Sequence, residues 1–212
     1  MPTSFGRHCM LALSAAALLV ACKPKENAAT DTATAAGAVA TSSDSANRAA
    51  ADSTANANKK GWSDEQIIAF AAAANNGEIR EGTLAQTKAT NPAVKAFARQ
   101  MVADHRTMLN QGKALATKNH ITPDSTRDDV RDLVKESQDE IKDLTDKAKG
   151  ADWDKEFIDK QIDGHKKVLE KLQDAEKAAT NPELKEMLTK ATGKVQEHLT
   201  KAQGIKDNTL KS

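Results

Sequence analysis

Three histidines interrupt helical seams that are otherwise mostly apolar. His105 lies in the series Val94, Ala98, Met101, His105, Met108, Gly112, Leu115. His165 lies in Ile158, Ile162, His165, Leu169, Leu172, Glu176, Ala179, and His198 in Leu184, Leu188, Ala191, Val195, His198, Ala202, Ile205. Each series alternates steps of four and three, the spacing that keeps residues on one buried helix face. A fourth series, Ile67, Ala71, Ala74, Glu78, Glu81, Ala85, carries Glu78 where the others carry histidine. Three imidazoles and one carboxylate are the donor set of a closed tetrahedral Zn site, and the same set suits Cu or Fe. Three histidines with an open position can activate water or O₂. Asp104, Asp163 and Glu197, each one or two residues before a histidine, are candidates to accept a hydrogen bond from an imidazole's second nitrogen. An ion-free reading uses the same residues. With Glu78 bonded to His105 and His165 set against His198, the polar layer would fix the register of the helices by penalising slipped pairings. Residue type does not separate the two readings, and no cofactor is as consistent with the pattern as one transition-metal ion.

Other chemistry is excluded more firmly. There is no Gly-x-Ser-x-Gly, no Gly-rich phosphate loop and no His-Glu-x-x-His. Lys+Arg is 31 against Asp+Glu 30, aromatic residues are 3% and Tyr is absent, so nucleic acid finds neither a basic surface nor a stacking platform. The lysines at 185, 190, 194 and 201 are interleaved with Glu183, Glu186 and Glu197 and read as a solvated face. His120, at a helix end, reads as exposed; Met101, Met108 and Met187 read as core filler.

The elements that must position these residues are helices. Ser63-Asp64-Glu65-Gln66 is a capping box, flanked by Trp62 and Ile67 at the positions of a hydrophobic staple. It predicts a helix to about Ala89. Ala89-Thr90-Asn91-Pro92 then supplies an N-cap and a first-turn proline for a second helix, to about Asn119. The same four residues return as Ala179-Thr180-Asn181-Pro182, between a helix from about Asp152 and one to about Asp207. Turns this short join antiparallel neighbours. Residues 120–151 form a crossover, with a helix expected from Thr122-Pro123, apolar at Val130, Val134, Ile141, Leu144 and Ala148, and ended by Gly150. Glu78 is 13 residues before Asn91 and His105 is 13 after Pro92, so both lie about 20 Å from their turn. His165 and His198 are each 16 residues from theirs. All four side chains therefore fall near one level.

The stretches Phe97-Ala98-Arg99-Gln100-Met101-Val102-Ala103-Asp104-His105, Trp153-Asp154-Lys155-Glu156-Phe157 and Glu197-His198-Leu199 resemble the bacterial ferritin-like family catalogued as domain of unknown function 4142. The resemblance runs from Trp62 to about Asp207 and implies an all-α, ferritin-like four-helix bundle of two antiparallel hairpins with a helical crossover. It carries no established activity. Di-iron ferritins place Glu-x-x-His on two helices and a further Glu on each of the others. Here the positions three before the histidines are Val102, Ile162 and Val195, so two irons lack their carboxylates.

The N-terminus reads as an address. Arg7 and His8 precede a twelve-residue apolar run, Cys9 to Val20, which spans about 18 Å as helix and is too short for a bilayer core of about 30 Å. Leu19-Val20-Ala21-Cys22 resembles the lipobox of bacterial lipoproteins, which implies lipidation at Cys22 after removal of residues 1–21. Lys23 rather than Asp after that cysteine implies the outer membrane, facing the periplasm. Several acyl chains would hold the protein there almost irreversibly. Residues 22–60, with no aromatic residue and few branched aliphatics, read as a lipidated cysteine and a disordered tether reaching about 35 Å. The helical bundle occupies 61–209. Three function classes follow: an exported, lipid-anchored envelope protein holding one metal ion, a metal-dependent redox enzyme at the same layer, or a structural module that binds another envelope protein. The sequence names no protein partner.

Overall fold

The computed structural model of the protein describes residues 61–210. The leader, Cys22 and the tether to residue 60 lie outside the described residues. Those residues form five α-helices and no strand: α1 Asp64–Lys88, α2 Pro92–Lys118, α3 Asp128–Asp146, α4 Ala151–Ala178 and α5 Pro182–Thr209. None is long and apolar enough to cross a membrane.

Local chemistry starts each long helix where the sequence places it. Ser63 Oγ accepts from the Gln66 N–H at 3.3 Å, and Gln66 Oε1 accepts from the Ser63 N–H at 3.4 Å, so both halves of the capping box are made. Asn91 accepts from the Ala93 N–H, and Asn181 from the Leu184 N–H. Trp62 is buried and meets Phe70 edge-on, with centroids 5.2 Å apart, while the Arg127 guanidinium lies 4.1 Å over its ring.

Helices α1 and α2 make one hairpin and α4 and α5 the other. α1 packs on α4 and α2 on α5, while α3 lies mainly against α1. The two hairpins are tied reciprocally at their turns. Asp154, in the first turn of α4, takes the N–H groups of Thr90 and Asn91 and the Thr90 hydroxyl. Asp64, in the first turn of α1, takes the N–H groups of Thr180 and Asn181 and the Thr180 hydroxyl. Each carboxylate thus satisfies the turn of the opposite hairpin, and the two clasps are 90 residues apart, like the turns they hold.

Close approach of the helices needs two glycines. A Cβ at Gly82 would stand 2.8 Å from Val102 Cγ2 and 3.2 Å from the Ala98 carbonyl, so α1 meets α2 there without a side chain between them. A Cβ at Gly77 would stand 2.7 Å from Ser137 Oγ of α3.

The crossover departs from the sequence expectation. Helix α3 begins at Asp128, not near Thr122-Pro123, and Ala148 lies beyond its end. The cause is the way α2 ends. His120 takes a left-handed φ of 54°, and the N–H groups of Ile121 and His120 close on the Ala116 and Thr117 carbonyls. This is a Schellman closure, which turns the chain out of the helix axis. The next residues run without helix, pinned where the Asp124 N–H donates to the Glu65 carbonyl at 3.0 Å. Val134, expected on the apolar seam of α3, is 40% exposed. Lys88, at the end of α1, bonds the Thr145 and Lys147 carbonyls where α3 ends.

Candidate metal centre

The three seam histidines meet in the interior. His105 from α2, His165 from α4 and His198 from α5 are each no more than 3% exposed, with ring centroids 5.2 to 6.0 Å apart. Each offers one ring nitrogen to a group of three that lie within 4.8 Å of one another, so this cluster can hold a metal ion. Tetrahedral coordination at bonds of about 2.0–2.1 Å separates neighbouring donors by about 3.3 Å. The rings would therefore close by up to about 1.5 Å.

Hydrogen bonds fix which nitrogen each ring presents. Asn75 Nδ2 donates to the Ala71 carbonyl at 2.7 Å, which leaves Asn75 Oδ1 to accept from His105 Nδ1 at 2.9 Å. His165 Nδ1 donates to the Gln161 backbone carbonyl at 2.8 Å. His198 Nε2 donates to Asp104 Oδ2 at 2.8 Å. With those protons spent outward, the remaining nitrogens are His105 Nε2, His165 Nε2 and His198 Nδ1. All three are buried and without a hydrogen-bond partner. Each ring of the cluster thus keeps one buried nitrogen with a free lone pair. A ligating histidine characteristically uses its other ring nitrogen in this way, which sets the tautomer and the aim of the ring.

Burial holds the rings in the neutral form that a metal requires. It pushes His165 down to about 4 against the opposing bond to Gln161, and pushes His105 well below the ordinary imidazole value, with His165 and His198 adding to the effect. His198 is also lowered by burial, which outweighs the bond to Asp104. Burial alone would raise the Asp104 carboxyl; the bond from His198 and the nearby Lys194 charge hold it below its usual value.

The four carboxylates singled out from sequence are placed differently. Asp104 is on the His198 ring. Glu197 pairs with Lys194 at 2.7 Å and takes a long bond from Gln100 Nε2, which also reaches Asp104, so it stands one residue further out. Asp163 is exposed and faces Lys166 at 3.7 Å, touching no imidazole. Glu78 Oε1 lies 3.6 Å from His165 Nδ1, the nitrogen already committed to Gln161, rather than from His105. Glu78 is thus beside the histidine group and outside its 4.8 Å circle. Its Oε2 is buried without a partner, and burial raises its carboxyl to about 8. Glu81, on the same helix face, is pushed well up by burial and by Glu78; it accepts from Gln161 Nε2 at 2.9 Å and Ser137 Oγ at 3.0 Å.

Asn75, Gln161 and Glu81 are the supporting residues that sequence reasoning left out of the site. Asn75 had a signal, since an amide residue inside the run Ala-Ala-Ala-Ala-Asn-Asn is a poor helix former with no exposed reason to be there. Gln161 contributes its backbone carbonyl to His165, and nothing in residue type announces that. As expected, His120 is exposed and Met101 is buried in the core. Met108 and Met187 are half-buried, and both line the cavity that adjoins the histidines.

No curated protein and no solved structure matches the chain. A family match covers residues 26–205, most of the chain and more than the stretch from Trp62 that carries the sequence resemblance. The chain belongs to the family described as Domain of unknown function (DUF4142).

Proposed function

We propose that the protein is a lipid-anchored envelope protein of ferritin-like four-helix architecture that holds one transition-metal ion, Zn, Cu or Fe, on His105, His165 and His198. One observation carries the metal: three neutral imidazoles gather with one ring nitrogen of each within 4.8 Å of the others, and in every ring the nitrogen not held by Asn75, Gln161 or Asp104 is left buried and without a partner. A register-setting polar layer has no need of that arrangement. It is best served when buried donors and acceptors satisfy each other, and here three acceptors face no donor. Glu78, which stands on the Nδ1 side of His165, is our candidate for a fourth donor. The leader and Cys22 support the envelope location, with the membrane engaged through the lipid. Metal handling rather than turnover is the leading role. The cavity against His105 and His165 favours a second reading, a metal-dependent redox enzyme with an open coordination position.

The experiment is metal content by mass spectrometry on the chain after the leader, carrying Cys22→Ser to prevent lipidation. It is dialysed against mixed first-row metals beside a variant with His105, His165 and His198 replaced by Ala. Near one ion per chain, lost in the variant, is the expected result. Metal-free protein in both samples overturns the proposal and returns the layer to bundle architecture.

A further inference from the structure

The histidine group is not sealed from the rest of the molecule. A cavity of about 230 Å³ lies against His105 and His165 and is lined also by Asn75 and Glu78. Apolar side chains supply most of the wall, Ala71 and Ala74 from α1, Met108 from α2, Val168 from α4 and Ala191 from α5 among them, with Asp104, Thr107 and Gln111 among its polar groups. The space exists because three alanines occupy seam positions that leucine or isoleucine fills elsewhere along the same helices. An apolar cavity of about 150 Å³ stays dry and takes benzene, so this one is large enough for a molecule of one to two rings. The lysines at its edge do not call for an anion, because Lys190 is paired with Glu186 at 2.6 Å and Lys194 with Glu197 at 2.7 Å. Polar groups of the centre line part of the cavity, His105, His165 and Glu78 among them. His105 Nε2 and His165 Nε2 belong to side chains about 97% buried and have no partner.

We propose that this cavity is a binding pocket for a small uncharged molecule with a ring-sized apolar body and a single hydroxyl or N–H head. The body is taken by the alanine and methionine walls, where burial of apolar surface drives it. The head points at His105 and His165. In the metal-free chain it donates to a bare ring nitrogen, supplying the donor those acceptors lack. In the metal-bearing chain those nitrogens would be taken by the ion, and the molecule would be held by its apolar body alone. Only that last statement rests on the metal reading; occupancy of the cavity does not.

Phenol is the probe, with toluene as its match in shape without a donor and benzoate as a charged analogue. Each is titrated calorimetrically into the chain after the leader, carrying Cys22→Ser, in chelator-treated and metal-loaded form. The expected result is saturable phenol binding to both forms, about tenfold tighter than toluene in the chelator-treated one, with benzoate the weakest. Ala191→Phe, which fills the cavity, should weaken phenol at least about tenfold and leave the metal content per chain unchanged. Ala74→Leu is the milder filling that serves if the first variant does not fold. Absence of saturable phenol binding, binding indifferent to both substitutions, or benzoate as strong as phenol overturns the pocket. The failures separate cleanly: phenol bound by a chain that takes up no metal sinks the metal centre and keeps the pocket, and metal without phenol does the reverse.

Discussion

Glu78→Gln reads the electrostatics of the centre most directly, because it removes a charge and keeps the shape. Burial raises the Glu78 carboxyl to about 8 from an ordinary value of 4.5, with the Gln161 hydrogen bond opposing and the Glu140 charge adding. Between those two values the folded chain keeps a proton that the unfolded chain releases. The contribution of Glu78 to stability is therefore whole below pH 4.5 and is lost as pH rises toward 8, at up to about 1.4 kcal/mol per pH unit. Glutamine has no such slope. Going from pH 5 to pH 8, the stability of the variant relative to the native protein should rise by about 3 kcal/mol. The histidines slope the other way. With His165 held at about 4 when folded, their contribution is lost as pH falls below 6.5, but it is common to both proteins and cancels in the difference. Urea unfolding of chelator-treated protein, followed by far-UV circular dichroism at pH 5 and pH 8, measures the quantity. A gap between the two proteins that is the same at both pH values would refute a buried neutral carboxyl at this position. Saturation with the bound metal should flatten the pH dependence of the gap, because a cation beside Glu78 favours the ionised form.

Other expectations follow from single contacts. Asp104→Asn keeps the shape but no longer holds a charged acceptor on His198 Nε2, and it should weaken metal affinity by about 10- to 100-fold in a chelator competition without loss of helix content. Asp154→Ala strands two turn N–H groups and a hydroxyl beside a buried site and should cost about 2–3 kcal/mol in urea unfolding. Asp64→Ala, at the more exposed clasp, should cost about 1 kcal/mol, and equal costs would argue against burial as the source of the difference. Gly82→Ala drives a methyl into Val102 and the Ala98 carbonyl and should cost about 1–3 kcal/mol, readable as a lowered melting temperature; a neutral result would mean that α1 and α2 separate freely there.

Helix positions were legible in the sequence because their causes are local. Ser63 with Gln66, Asn91 with Pro92 and Asn181 with Pro182 act within one turn of chain, and the structure starts its helices at those places. The steps of four and three put His105, His165 and His198 on buried faces for the same reason, since a helix face is a property of spacing. The start of α3 was misread where a local cue, Thr122-Pro123, lost to the Schellman closure at His120 and the bond from Asp124 to Glu65. The repeated Ala-Thr-Asn-Pro turn was visible as a pattern. That Asp154 and Asp64 each clasp the other hairpin's turn was not, because the partners are 63 to 117 residues apart. The site divides in the same way. Sequence alone determined that three imidazoles and a carboxylate share one level of a helical protein. Only the tertiary structure decided which nitrogen of each ring is held and which is left without a partner, that Asn75 rather than Glu78 holds His105, that Glu78 stands beside His165, and that Ala71, Ala74 and Ala191 leave a cavity beside the group. Spacing along a chain sets the face of a helix on which a side chain lies; its rotamer, its tautomer and the space left beside it are set by what the neighbouring helices bring within a few ångströms.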